Sequence, residues 1–328
     1  MYCTTGLFLA QMKHDVDGIL GSASHILIDE AHERALNVDF LLVVIKNAIK
    51  IRQIQGLSVP HVVLMSATID QSLFARYLGT GEGKRLVPAP TIQIPGRTFP
   101  VTWRYLTDTL RDLMNRDRRE VNRLLATDSK VGDWRAAELE HSKTAVARKA
   151  GQTAEPQDLH EGFVPVPILG AIIGWLCSVS GDGAILVFLP GLQEITSLKR
   201  FLTQYKCFGH DFADSRKYKT CLLHSTIPME DQAAVFQRDR FGCRKIILST
   251  NIAETSITVT DVKHVVDTGK LRDRRYDQLR RTTQLQCVCV SRSNARQRAG
   301  RAGRVQHGTY YAVYSEERYT EMSAVNSP

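Results

Sequence analysis

The sequence predicts an α/β protein with two blocks of mainly parallel strands covered by helices. Three observations predict it. Short apolar runs recur without polar alternation, helix-like segments separate them, and several runs end in acidic or hydroxyl residues. Continuous apolar strands belong to sheets buried on both faces. Strand–helix alternation is the mark of parallel pairing. At 328 residues, 43% of them hydrophobic, the chain can bury a sizeable core, and length alone suggests about two domains.

In the first block, 1–106, strands are expected at His25–Asp29, His61–Ser66 and Arg85–Val87. Helical patterns cover Val38–Ile54 and Gln71–Leu78. From about Thr107 the composition shifts: DLMNRDRREVNRLL and DWRAAELEHSKTAVARKA are charge-rich, nearly balanced and poor in strand formers. Residues 107–160 are therefore expected to be an inserted, partly helical linker with little chemistry of its own. In the second block, 161–328, strands are expected at Ala184–Leu189, Thr220–Leu223, Lys245–Leu248, His264–Asp267 and Thr309–Tyr314. Helices fit at Ile168–Val179, Gln193–Tyr205, Met229–Arg238 and Asn294–Arg301.

Residues 163–180, FVPVPILGAIIGWLCSVS, carry no charge and approach the length of a membrane span. Pro165, Pro167, Gly170 and Gly174 interrupt them and a second apolar run follows at once. A buried helix feeding a strand is expected, with no membrane partner. The opening MYCTTGLFLAQMKHD has neither a basic segment nor a small-residue cleavage site, so no signal peptide is expected. The seven cysteines are scattered, with no C-x-x-C pair. Neither a zinc site nor a disulfide framework is indicated, and an intracellular, reducing setting fits, with nucleus, cytoplasm and organelle left open.

The net charge of +9 is concentrated. Between Lys270 and Arg304, eleven Lys and Arg stand against Asp273 and Asp277, which is the whole excess. A basic run is usually a solvated face, but one holding the entire excess points to a polyanion partner.

HILIDEAHERAL, residues 25–36, ends an apolar strand in Asp29 and Glu30. In open parallel sheets, ligands sit beyond the carboxyl ends of the strands. An Asp there can hold Mg²⁺ through its water shell, while its neighbour orients and deprotonates an attacking water. An acidic turn or helix N-cap is the competing reading of a bare Asp-Glu pair. One helix and one strand later, LMSATID brings Ser66 and Thr68 to another strand end, where their hydroxyls can bond to His32 or nearby backbone. A plain Ser/Thr turn competes, and the spacing makes the two segments neighbours.

QRAGRAGR, residues 297–304, repeats arginine at every third position with only Ala and Gly between. On a helix Arg301 and Arg304 would share a face. Glycine costs a helix about 1 kcal/mol relative to alanine, so two of them suggest a close-contact requirement. Guanidinium forks suit phosphate oxygens, and a purely structural role is the minor reading.

DEAHER with SAT, STNIAETSIT (249–258) and QRAGRAGR, in this order, resembles the DEAH/RHA branch of superfamily 2 helicases. TTGLFL (4–9), PGRTFPV (95–101), ILVFLPG (185–191) and LLHS (222–225) match its secondary motifs, so the resemblance runs from about Met1 to Tyr319 apart from the linker. It implies two RecA-like domains that clamp ATP while single-stranded or partly duplex RNA crosses both, with movement 3′ to 5′. Asp29 would anchor Mg²⁺, Glu30 would activate the lytic water, and Gln297 would position it. Arg301 and Arg304 would be arginine fingers on the γ-phosphate. His32, Ser66 and Thr68 would couple hydrolysis to movement, and Asp267 would face the nucleotide. Thr5, Arg97, Ser225 and Thr255 match positions near the RNA backbone, where hydroxyls contact phosphate and predict little sequence preference. The basic run 270–292 falls where the family carries a strand-splitting β-hairpin; a solvated hairpin is the alternative.

The chain departs from the family in having no G-x-x-x-x-G-K-[ST] loop, whose glycines and lysine hold phosphates. GTGEGKR (79–85) lacks the final hydroxyl and follows SAT, so it is read as a surface loop. The expectation is a first domain truncated at its N-terminus, a piece of a larger helicase, and an isolated chain without activity. A non-catalytic RNA-binding scaffold and a DNA-directed helicase are the rival readings, and any protein activator is undefined.

Overall fold

The computed structural model describes the chain except residues 32–35, 67–70, 82–85, 95–98, 150–161, 237–242, 255–258, 260, 278–280 and 325–328; at 71, 142–149, 229, 231, 234 and 277 it describes backbone only. Two compact units result, Met1–Gly96 and Arg97–Val325.

The smaller unit runs α1 (Thr5–His14), α2 (Val16–Ser22), β1 (His25–Ile28), α3 (Leu36–Ile54), β2 (His61–Leu64) and α4 (Gln71–Tyr77). Thr4 caps α1 by accepting from Leu7 N, and Asp15 caps α2 by accepting from Gly18 N. Neither helix was expected from the sequence. In α3, Val38, Leu41, Leu42 and Ile45 form an i, i+3, i+4, i+7 stripe. The stripe packs on Ile26 and Ile28 of β1 together with Met12 and Leu20. Leu27, on the opposite face of β1, is exposed, so here the strand is not covered on both sides. The strand expected at Arg85–Val87 reduces to an isolated bridge between Thr80 and Val87, and Arg85 lies outside the described residues.

The larger unit runs β3 (Val101–Arg104), α5 (Leu106–Leu125), α6 (Ser129–Lys149), α7 (Val166–Val179), β4 (Ala184–Phe188), α8 (Leu192–Gln204), β5 (Tyr218–Leu223), α9 (Met229–Gln232), β6 (Arg244–Ser249), β7 (Val262–Asp267), β8 (Lys270–Asp277), β9 (Thr282–Cys289), α10 (Arg292–Gly300), β10 (Gly308–Ala312) and α11 (Glu316–Glu321). Six strands form one sheet in the order β3-β10-β7-β4-β6-β5, and every pairing is parallel. Period-two geometry sends Ile185 and Val187 of β4 to one face and Leu186 and Phe188 to the other. Each face has its own buried core. That is why these strands read as unbroken apolar runs.

Two expectations about the middle of the chain need correction. Val101–Arg104, placed by sequence in the first block, is the edge strand beside β10, with Val101 opposite Gly308. Residues 107–160, expected to be a partly helical linker, carry all but the first residue of α5 and the whole of α6, and these helices supply Leu110, Leu113, Leu124, Val131 and Trp134 to the same core as α7. Their surfaces look polar overall because the apolar positions occupy one stripe only. Glu138 of α6 accepts from Ser315 N at 3.0 Å and pairs with Arg318 at 2.7 Å, joining α6 to α11. Burial alone would raise the Glu138 pKa, but the Arg318 and Ser315 donors hold it below the usual range. The uncharged stretch 163–180 becomes α7, as expected. Among the described residues no helix is long and apolar enough to cross a membrane.

Candidate nucleotide and nucleic-acid sites

In the smaller unit β1 and β2 pair in parallel with Ile28 opposite Leu64, so Asp29 and Met65 leave the sheet at the same end. Met65 N donates to Ile28 O at 2.8 Å, and Ala31 N donates back to Met65 O at 3.1 Å. Ala31 is fully buried. Glu30 is thus held between two anchored residues, with φ at 52°. An L side chain in that left-handed region costs roughly 1 kcal/mol or more. Such strain is tolerated where neighbouring contacts enforce it. Asp29 is exposed, and its Oδ1 accepts from Glu30 N at 2.8 Å. Ser66 follows Met65 and is exposed beside this turn. His32 and Thr68 lie outside the described residues. Thr5 opens α1.

The donor set fits Mg²⁺. Asp29 offers a hard carboxylate oxygen from an exposed position, and Mg²⁺ commonly takes one or two carboxylates while keeping its waters. Among the described residues no group of three or more His, Cys, Asp or Glu could hold a metal by itself.

In the larger unit, Ser291 opens α10 with a capping box, accepting from Asn294 N while Asn294 reaches back to Ser291 N. The helix ends at Gly300 and Arg301 is its C-cap. Ala302 N and Gly303 N then bond to Ala299 O and Gly300 O in tightened turns. Arg304 therefore lies beyond the helix, where sequence placed it on a shared helical face with Arg301. Ala295, Arg298, Ala299 and Ala302 turn inward and are at most 2% exposed. Gln297 and Arg304 are partly exposed, and Arg301 retains 9% exposure.

Arg298 is the largest departure from expectation. Its Nη1 donates to Asp267 Oδ1 at 2.7 Å and to Lys270 O at 3.2 Å, and its Nε donates to Glu254 Oε2 at 3.1 Å. The guanidinium lies over the Phe188 ring at 4.8 Å. Burial opposes its charge, but Asp267 and Glu254 more than offset that and raise its pKa. Asp267, which the resemblance sets facing the nucleotide, belongs to the same cluster. It is fully buried. Its Oδ1 also accepts from Gly269 N, and its Oδ2 accepts from Tyr310 OH at 2.6 Å. Burial first, then the Asp267 charge, pushes the Tyr310 pKa up.

Two further regions carry candidates. Ser225 sits exposed just after β5, where Gln232 Nε2 donates to His224 O at 3.2 Å and pins the loop. Arg97 and Thr255 lie outside the described residues. The expected basic hairpin is present as β8–β9, with Lys270 opposite Cys289 and Asp277 opposite Thr282. Lys270, Arg272, Arg274 and Tyr276 alternate onto one face. Arg272 ties the hairpin to the first turn of α8 through Glu194 at 2.9 Å.

Comparisons with known proteins bear on the family and the fold. Residues 168–306 match the helicase conserved C-terminal domain. Over its whole length the chain is 34% identical to the DExH-box ATP-dependent RNA helicase DExH1 of Arabidopsis thaliana. It is 35% identical to the human ATP-dependent DNA/RNA helicase DHX36, again over its whole length. Over 97% of the chain it is 31% identical to the human ATP-dependent RNA helicase DHX29.

The chain is a homologue of the DExH/DEAH-box helicases. It spans 32%, 32% and 24% of the lengths of these three relatives. Its fold is that of the Escherichia coli DExH-box NTPase HrpB, with TM-score 0.65 and 24% identity over 98% of this chain and 31% of the other. The helicase-type sheet is therefore RecA-like, and the matched domain ends just past the second glycine of QRAGRAGR.

Proposed function

We propose that these residues serve an ATP-dependent RNA helicase moving 3′ to 5′, and that they hydrolyse ATP through Glu30. The β1 tip carries this reading: an exposed Asp29 beside a Glu30 held at φ 52° between two anchored residues. Mg·ATP, when bound, supplies the phosphoanhydride and a cation that neutralises its charge. Asp29 holds the water shell of that cation, and Glu30 accepts the proton of the attacking water. Gln297 orients the water. Arg301 and Arg304 lie along the γ-phosphate, where arginine fingers contribute about 10³–10⁵ in rate. His32, Ser66 and Thr68 couple hydrolysis to movement, while Thr5, Arg97, Ser225 and Thr255 hold the RNA backbone.

Glu30→Gln tests the reading in a polypeptide joining these residues to a phosphate-binding loop. Turnover should fall by about 10²–10⁴ with the KM for ATP little changed; undiminished turnover would sink it. The 328 residues alone contain no G-x-x-x-x-G-K-[ST] and should show no micromolar affinity for Mg·ATP by calorimetry. A second reading, action on DNA, is favoured by the DNA/RNA designation of the DHX36 relatives. Competition of RNA and DNA strands for ATPase stimulation separates the two, since only RNA offers 2′-hydroxyls.

A further inference from the structure

Arg298 joins four chain segments that are remote in sequence: its own helix, Phe188, Glu254 and the stretch from Asp267 to Lys270. It sits on α10 between Gln297 and Arg301, yet its own side chain has no exposure. Its Nε reaches Glu254, the residue preceding Thr255 in the chain. Its Nη1 reaches Asp267 at the end of β7 and the carbonyl of Lys270, the first residue of the β8–β9 hairpin. Phe188, at the end of β4, underlies it. Asn294, one turn earlier on α10, holds the other Glu254 oxygen. The same guanidinium thus touches the helix carrying the nucleotide candidates, the loop leading to an RNA candidate, and the root of the basic hairpin.

We propose that Arg298 is a positioning residue that makes α10, the Glu254 loop and the root of the β8–β9 hairpin move as one body, so that a change at Gln297 and Arg301 reaches the nucleic-acid side. The coupling to ATP turnover rests on the function proposed above; the mechanical linkage does not. A planar fork is required: a lysine keeps the charge but cannot satisfy Glu254, Asp267 and the Lys270 carbonyl together.

Amide hydrogen exchange on the 328-residue chain tests the linkage. The reporters are Glu254 N, bonded to Asn251 O, Gly269 N, bonded to Asp267, and Ala302 N, bonded to Ala299 O. Arg298→Lys should accelerate all three together by about tenfold or more, relative to Leu198→Ala compared at equal distance below its melting temperature. Leu198 is buried in the core on the other face of the sheet. Glu254→Gln weakens one arm only, and should loosen Glu254 and Ala302 while sparing Gly269. Acceleration in Arg298→Lys no different from Leu198→Ala, or confined to one reporter, overturns the proposal. If Arg298→Lys does not fold, Glu254→Gln decides: the split pattern supports the linkage, and an unchanged Ala302 overturns it. In a preparation that hydrolyses ATP, Arg298→Lys should lower the ratio of RNA-stimulated to unstimulated turnover about tenfold, whereas Leu198→Ala lowers both alike. An unchanged ratio removes the coupling. If these residues joined to a phosphate-binding loop hydrolyse no ATP, the function proposed above is defeated and the exchange result stands.

Discussion

Gly300 and Gly303 lie one turn apart in QRAGRAGR, yet a methyl group would meet different surroundings at each. At Gly303 a Cβ would come within 2.5 Å of Phe99 O and 2.7 Å of Val101 Cγ2, while at Gly300 nothing lies within 4 Å. The close contact suspected from sequence therefore belongs to one of the two glycines. Gly303→Ala should lower stability by about 1–3 kcal/mol in urea unfolding. Gly300→Ala should stay within about 0.5 kcal/mol of the parent. A buried histidine sets a second prediction. His264 Nε2 faces Ser180 Oγ at 3.0 Å. Burial first, and then the Arg244 guanidinium, pushes its pKa from 6.5 down to about 4. The unfolded chain takes up that proton first, so the contribution of neutral His264 is complete above about pH 6.5 and is lost as pH falls toward 4. Unfolding at pH 5 should be easier than at pH 7 by about 2 kcal/mol from this group. His264→Gln should flatten that slope, and an equally steep slope in the variant would refute the assignment.

At the scale of elements, α6 is fastened by Glu138. The carboxylate is 5% exposed and takes donors from Ser315 and Arg318. Glu138→Ala leaves Arg318 unpaired and should cost about 3–5 kcal/mol in chemical unfolding, as loss of one partner of a buried pair does. A change under 1 kcal/mol would mean that α6 is dispensable to the unit. The hairpin makes a different prediction. Arg274 and Tyr276 share a face, and Tyr276 is 61% exposed. Arg274→Glu should weaken binding of single-stranded RNA and shrink the salt slope of log K by about 1 or more. An unaltered slope would leave the hairpin as a solvated basic surface. The family resemblance located this hairpin at the basic run, but β3 was missed. Val101, Thr102 and Trp103 all favour strands, but a run of four residues is too short to declare one alone, and its pairing with β10 spans two hundred residues of chain.

Across the whole molecule, local chemistry and long-range burial were legible to different degrees. The DEAHER and QRAGRAGR runs, the apolar strands of the larger unit and the α7 stretch were all readable, because strand period, strand-end acids and turn residues are encoded within a few positions. The homology found over the full chain agrees with that reading. Sequence therefore determined the α/β class, the helicase kinship and the acidic strand tip of Asp29 and Glu30. The tertiary structure alone decided which arginine of the triplet turns inward, that Asp267 holds Arg298, and that α5 and α6 belong to the core. Burial depends on which face of a helix meets the sheet, and the partners that settle it, Glu254 and Asp267, stand 44 and 31 residues from Arg298. No local period carries that information.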